Sequence, residues 1–138
     1  MPIVLRCHPG IGPAVSGTAL VAADNFSARY DLDRSQGIFS RPSHQLAGES
    51  YVDRILVLDG AKGGVATAWM LHDMKARGIV PRALIFNRVN PIIAQGAAFA
   101  GVALVDRFVG DVTALFRTGD ELRVDPAAGT VEILNREP

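Results

Sequence analysis

The chain has 138 residues, 49% of them hydrophobic and 20% charged, and its 14 basic and 14 acidic side chains cancel to a formal net charge of zero. Such a length suits one domain, 1–138, that buries about two-thirds of the surface its unfolded chain exposes, and the balanced charge provides no broad field for nucleic acid or an anionic membrane. No basic-then-apolar leader opens the chain and no apolar run reaches membrane-spanning length, so a cytoplasmic protein with no nucleic-acid and no membrane partner is expected.

Pro2 to Cys7 reads as a short strand, ended by Pro9, Gly10, Gly12 and Pro13. A second strand is expected over Ser16 to Ala22. The polar stretch from Asp24 to His44 has no sustained periodicity and is too long for an ordinary connection. It reads as a functional loop with a short strand near Ile38 and Phe39. Tyr51 to Leu58 gives a central strand. Val65 to Arg77 reads as a helix with Ala66, Trp69, Met70 and Met74 at helical spacing, stopped by Gly78 and Pro81. Ala83 to Phe86 follows as a buried strand. Asn90 as cap and Pro91 in the first turn open a second helix through about Phe99, ended by Gly101. Val102 to Val105 forms another strand and Gly110 to Phe116 a helical turn. Glu121 to Asp125 and Thr130 to Leu134 flank Pro126-Ala127-Ala128-Gly129 as a hairpin. Short buried strands alternating with helices predict a partly parallel sheet in an α/β or β/β/α domain.

The most informative stretch runs from Ile55 to Trp69, an apolar strand, then Asp59-Gly60-Ala61-Lys62-Gly63-Gly64, then a helix start. Glycine-rich backbone at a helix N-terminus favours a carboxylate or phosphate, with Lys62 as a mobile charge. The Gly-x4-Gly-Lys-Ser/Thr spacing of a P-loop is absent. A tight strand-to-helix turn with a solvated lysine accounts for the same residues. His8 and His72 read as structural, whereas His44, at the end of the long loop, suits either a general acid–base role or a hydrogen bond that fixes the loop. The three histidines have no spacing that suggests a shared metal site, and the single Cys7 can neither form an internal disulfide nor alone hold zinc or an iron–sulfur cluster. Ser27, Arg29, Tyr30 and Asp31 cluster in the long loop, where arginine can grip a carboxylate and tyrosine can donate or stack.

The order of these motifs resembles the small subunit, or swivel domain, of the aconitase X group. Gly12 and Gly17-Thr18-Ala19-Leu20-Val21 match its opening glycine and Gly-x-Ala-Leu-Val strand. Ser27 and Asp33 to Gly37 match parts of its long loop, and His44 with Gly48-Glu49-Ser50 its His-Pro-x-x-Gly-x-Ser segment. Asp59 to Trp69 occupies its glycine- and serine-rich loop. Gly78 to Ala83 matches a Gly-x-x-Pro-x-Ala link, and Gly96 to Ala100 a Gly-Ala-x-x-Ala helix. The likeness covers residues 12 to about 108.

That resemblance implies a swivelling β/β/α fold that closes over the active site of a larger catalytic subunit. The large subunit of the family carries the iron–sulfur cluster or metal, so none is expected on this chain alone. The family's chemistry is hydro-lyase dehydration of small hydroxy acids, including cis-3-hydroxy-L-proline and mevalonate 5-phosphate. Where the family reads Gly-Arg-Gly-Ser-Ser-Ser, this chain has Ala61-Lys62-Gly63-Gly64-Val65-Ala66, so Gly64 stands at the position of the active-site serine. The family's Ser-Phe-Trp-Gly-Gly is Ser27-Ala28-Arg29-Tyr30-Asp31 here.

The resulting expectation is a dehydratase small subunit that is active only with its large subunit and acts on a small anionic hydroxy acid. Backbone amides of residues 62 to 65, hence of Lys62, Gly63, Gly64 and Val65, together with the Lys62 ammonium, would hold a carboxylate or phosphate. Arg29 would be a second anion contact, and Ser27 and Thr67 polar contacts or proton-transfer groups. Two other readings are a non-catalytic regulatory or binding subunit that has lost the family serine, and a phospho-carrier domain using His44.

Overall fold

The computed structural model describes residues 3–28, 30–62 and 65–136. Ten strands are assigned among them: β1 (Ile3–Arg6), β2 (Val15–Val21), β3 (Asn25–Phe26), β4 (Leu32–Asp33), β5 (Ile38–Phe39), β6 (Ile55–Ala61), β7 (Ala83–Arg88), β8 (Ala103–Val105), β9 (Glu121–Asp125) and β10 (Thr130–Asn135). The helices are α1 (Val65–Ala76), α2 (Pro91–Ala100) and the short α3 (Val112–Leu115). The main sheet runs β1-β10-β9-β2-β6-β7-β8, with β3 also beside β6, while β4 and β5 form a separate hairpin.

The strand β2 joins two kinds of sheet. Its first half, Val15 to Thr18, pairs antiparallel with β9, and its second half, Ala19 to Val21, pairs parallel with β6. The β6, β7 and β8 pairings are parallel and are bridged by α1 and α2, the expected strand–helix alternation. Side chains of these strands alternate between two cores. Ile55, Val57, Ala83, Ile85, Ala103 and Val105 face an inner core completed by β9, β10 and Phe116. Leu56, Leu58, Leu84, Phe86 and Leu104 face an outer core under α1, α2 and the long loop. Both faces are buried, which is why these strands read as continuous apolar runs.

The sheet curls until its ends meet. β1 lies against β10, and five residues beyond its end, Ile11 exchanges both backbone hydrogen bonds with Leu104 of β8 at 2.9 and 2.8 Å. Gly12 makes that approach feasible. It sits at φ +92°, and a Cβ there would lie 2.7 Å from the Ala103 Cα.

The second helix follows local rules throughout. The Asn90 side chain accepts the Ile93 N–H at 2.9 Å, Pro91 occupies the first turn, and Gly101 closes the helix in the left-handed region. Two expectations are corrected. The central strand begins at Ile55 rather than Tyr51, because Tyr51 to Arg54 form a turn with Asp53 at φ 58°. It runs on to Ala61 because β3 pairs with Gly60 and Ala61. In α1 the buried residues are Thr67, Leu71 and Met74, while Ala66 and Trp69 face outward. The close meeting of α1 and α2 sets this rotation, since a Cβ on Gly96 would lie 2.5 Å from the Ala68 Cβ.

Candidate active-site cleft

Ligands of open α/β sheets sit beyond the carboxyl ends of parallel strands, where the chain crosses between elements. Here that edge is formed by the ends of β2, β3 and β6. The loop after β3 folds back over it to leave a cleft of about 390 Å³. Asp24 enters from the link between β2 and β3, Asn25 from β3 itself, Ser27, Tyr30 and Asp31 from the turn after β3, Arg41 from the stretch after β5, and Lys62 from the end of β6.

The turn is built around Asp31, which is buried. Its Oδ2 accepts the Ser27 N–H at 3.1 Å, its own N–H donates to the Ser27 carbonyl at 2.9 Å, and its Oδ1 accepts from Arg41 Nε. Ser27 is 4% exposed and its Oγ accepts the Tyr30 N–H at 3.3 Å, which leaves the hydroxyl proton to be donated elsewhere. Arg41 also donates to Ser43 Oγ at 2.6 Å and reaches Asp24 Oδ1 at 3.4 Å. The bond to Asp31 outweighs the loss of hydration and raises the Arg41 pKa above its ordinary value. Burial pushes the Asp24 carboxyl up, but N–H bonds from Asn25 and Gln45, with His44 and Arg41 nearby, leave it below the usual carboxylate range. Among the described lining residues, two carboxylates thus oppose two cations.

His44 lies behind this wall, buried and stacked on Phe39 at 4.6 Å between ring centroids. Its Nδ1 accepts the Leu46 N–H at 3.0 Å, so Nδ1 carries no proton and Nε2–H donates to the Asn25 carbonyl at 2.8 Å. Both ring nitrogens are engaged in holding the loop. Nε2 also lies 3.8 Å from Asp24 and 3.9 Å from Asp31.

Of the residues singled out in the sequence, the cleft brings Ser27, Tyr30, Asp31 and Lys62 together. Arg29, Gly63 and Gly64 lie outside the described residues. The Lys62 amide is not available to a ligand, because it donates to the Phe26 carbonyl at 2.8 Å as part of the β3–β6 pairing. The Lys62 side chain is exposed. Thr67 is only 1% exposed and faces the core rather than the cleft, because α1 is rotated towards α2. Val65 lines a different depression, between the two helices. Sequence reasoning missed Asp24, Asn25 and Arg41 as cleft residues. Asp24 and Asn25 follow an apolar run directly, the place where a parallel strand delivers functional groups. Arg41 is ten residues from Asp31, and no local spacing marks that pairing.

Among the described residues, no group of three or more His, Cys, Asp or Glu side chains converges to hold a metal ion. Cys7 packs against the inner core, and burial with the nearby Asp106 carboxylate pushes its thiol up to about 11, opposite to the thiolate that metals take. Among the described residues no helix is long and apolar enough to cross a membrane.

Residues 4–133 match the family model of the aconitase X swivel domain. The chain belongs to that family. The likeness extends to the whole fold, for the crystal structure of Thermococcus kodakaraensis aconitase X in its holo-form superposes with a TM-score of 0.88. That match is at 26% identity and covers 96% of this chain and 99% of the other. Among sequence relatives, the phosphomevalonate dehydratase small subunit of Methanococcoides burtonii is 31% identical over 134 residues, covering 97% of this chain and 98% of that protein. The phosphomevalonate dehydratase small subunit of Pyrococcus horikoshii is 32% identical over 126 residues, with coverage of 91% and 92%. The aconitase X resemblance read from the ordered motifs is therefore correct, as is the mixed α/β swivel architecture it implied.

Proposed function

We propose that this swivel domain is the small subunit of a hydro-lyase that dehydrates a small anionic hydroxy acid and works only when docked on a large catalytic subunit. The observation that carries this reading is the cleft at the ends of β3 and β6, which joins the Ser27 hydroxyl, Arg41 and Lys62. It occurs in a chain whose relatives are named dehydratase small subunits and are matched over nearly their full length.

In this reading the substrate lies between the two subunits. The Lys62 ammonium meets its carboxylate or phosphate, and Ser27 donates a hydrogen bond or relays a proton at Oγ. Asp31 and His44 act at one remove, by fixing the turn that presents Ser27 and Arg41. Arg29, two residues after Ser27 in the sequence, is proposed as a further anion contact. An iron–sulfur cluster or metal, held by the large subunit, would supply Lewis-acid activation of the departing hydroxyl. Closure of the domain over the substrate excludes water and completes the site. The names of the relatives make mevalonate 5-phosphate the first substrate to assay.

A second reading, a regulatory subunit without catalytic groups, rests on the family resemblance, which sets Gly64 against the serine of the family loop. Anaerobic purification of the tagged chain from its own organism separates the two. The dehydratase reading expects recovery of a larger iron-containing protein together with loss of water from a hydroxy acid. A complex that forms but leaves every hydroxy acid unchanged supports the regulatory subunit, and a chain recovered alone under all salt conditions contradicts both.

A further inference from the structure

Away from the cleft, α1 and α2 enclose a groove of about 460 Å³. The contact of Ala68 with Gly96 brings the two helices together at this groove, where the polar His72 and Gln95 join a lining whose large apolar side chains are Val65, Trp69, Ile92 and Phe99. These four apolar side chains are exposed, Trp69 by 69% and Phe99 by 75%. Water-facing helix surfaces ordinarily carry charge. Here all ten residues of α2 lack it, as do residues 65–71 of α1, and charged residues on α1 begin only at Asp73. Large apolar side chains gathered on an uncharged face mark an interaction site, whereas singly scattered ones need no explanation.

Two facts identify the occupant. The relatives matched over almost their whole length are named small subunits, and that name implies a larger partner subunit. The groove also lies near the candidate active site, because Val65, which lines it, is three residues along the chain from Lys62 of the cleft, a span of at most about 11 Å. A partner that closes the cleft from the loop side therefore reaches the groove within the same footprint.

We propose that the α1–α2 groove, with Trp69 and Phe99 as its anchors, is the docking surface for an uncharged, apolar segment of the large catalytic subunit. This inference rests on the dehydratase-subunit reading. Aromatic anchors near the centre of an interface carry a disproportionate share of its binding energy.

Trp69 is the only tryptophan in the chain, so 5-fluorotryptophan labelling gives a single ¹⁹F resonance. The labelled chain is titrated with the unlabelled large subunit of its own organism, and complex formation is followed in parallel by size-exclusion chromatography. The resonance is expected to shift and broaden as the complex forms. Phe99→Ala should raise Kd by about tenfold or more, and Val109→Ala, an apolar residue 94% exposed elsewhere, should leave it unchanged. Both positions are exposed, so folding is not at stake. A complex that forms with the resonance unmoved overturns the proposal while leaving the dehydratase reading intact. No complex at all overturns both. A resonance that moves with the chain's own concentration, before any large subunit is added, assigns the groove to self-association and also overturns it.

Discussion

The inner barrel and the cleft wall sit on opposite faces of the same parallel strands, yet they are held by different forces. The barrel is almost wholly apolar inside, closed by β1, β10 and β9 and plugged by Phe116, with one polar clamp where Arg136 grips the buried Asp120. The cleft wall contains little regular structure. Its shape comes from side chains that hydrogen-bond to backbone: Asp31 to Ser27, His44 to Asn25 and Leu46, and Asp24 to Asn25 and Gln45. Apolar packing tolerates no void but is indifferent to direction, whereas a hydrogen-bonded turn sets direction with modest net stability. Substitutions in the barrel should therefore change stability, and substitutions in the cleft wall should change catalysis.

The largest effect should come from the barrel plug. Phe116 is buried and meets Phe108 edge-on at 5.6 Å. Phe116→Ala should cost about 3–5 kcal/mol in chemical denaturation, with KM of the surviving complex unchanged. A stability loss under about 1 kcal/mol would show that the inner core is loosely packed.

The Asp120 clamp should come next and should depend on pH. Burial raises the Asp120 pKa, but bonds from Arg136 and from the Arg117 N–H more than offset this and place it below the ordinary carboxylate value. A carboxyl with a depressed folded-state pKa contributes stability that is fully present above its unfolded value, about 4, and is lost as pH falls through the folded one. Asp24 adds to the same trend. Tm should accordingly be level near neutrality and decline below about pH 4. Asp120→Asn should lower stability by about 1–3 kcal/mol at pH 7 and flatten that decline. An unchanged acid limb would remove the clamp from the account.

Asp31→Asn tests the other side of the contrast. Its loss misdirects Ser27 and Arg41 together, and kcat/KM of the reconstituted enzyme should fall by about tenfold or more. Stability should fall by only about 1–2 kcal/mol. If stability collapsed instead while the residual enzyme kept its kinetics, the cleft wall would be structural in the same sense as the barrel.

The two regions also differ in how much of them can be read from sequence. The α2 helix is legible to within a residue because Asn90, Pro91 and Gly101 act on their neighbours. The hairpin of β9 and β10 is legible from alternation and a four-residue connection. β3 is not, because two residues become a strand only through Gly60 and Ala61, far along the chain. The outward face of Trp69 escaped for a related reason. Apolar spacing located α1, but its rotation depends on how closely Gly96 allows α2 to approach. In the cleft, Ser27, Tyr30 and Asp31 stood out as a polar cluster in the long loop and Lys62 as the lysine of the glycine-rich turn, whereas Arg41 gains its place through Asp31 and Asp24. Local chemistry is written in short spacings, and the partners that orient it are not.

The most direct measurement is steady-state kinetics of the reconstituted two-subunit enzyme carrying Lys62→Ala. Lys62 is an exposed side chain, so Tm should be unchanged and stability should stay within about 0.5 kcal/mol. If the cleft binds the substrate's anionic group, KM should rise by about tenfold or more. A variant with unchanged KM and turnover would contradict the assignment of the cleft as the substrate site.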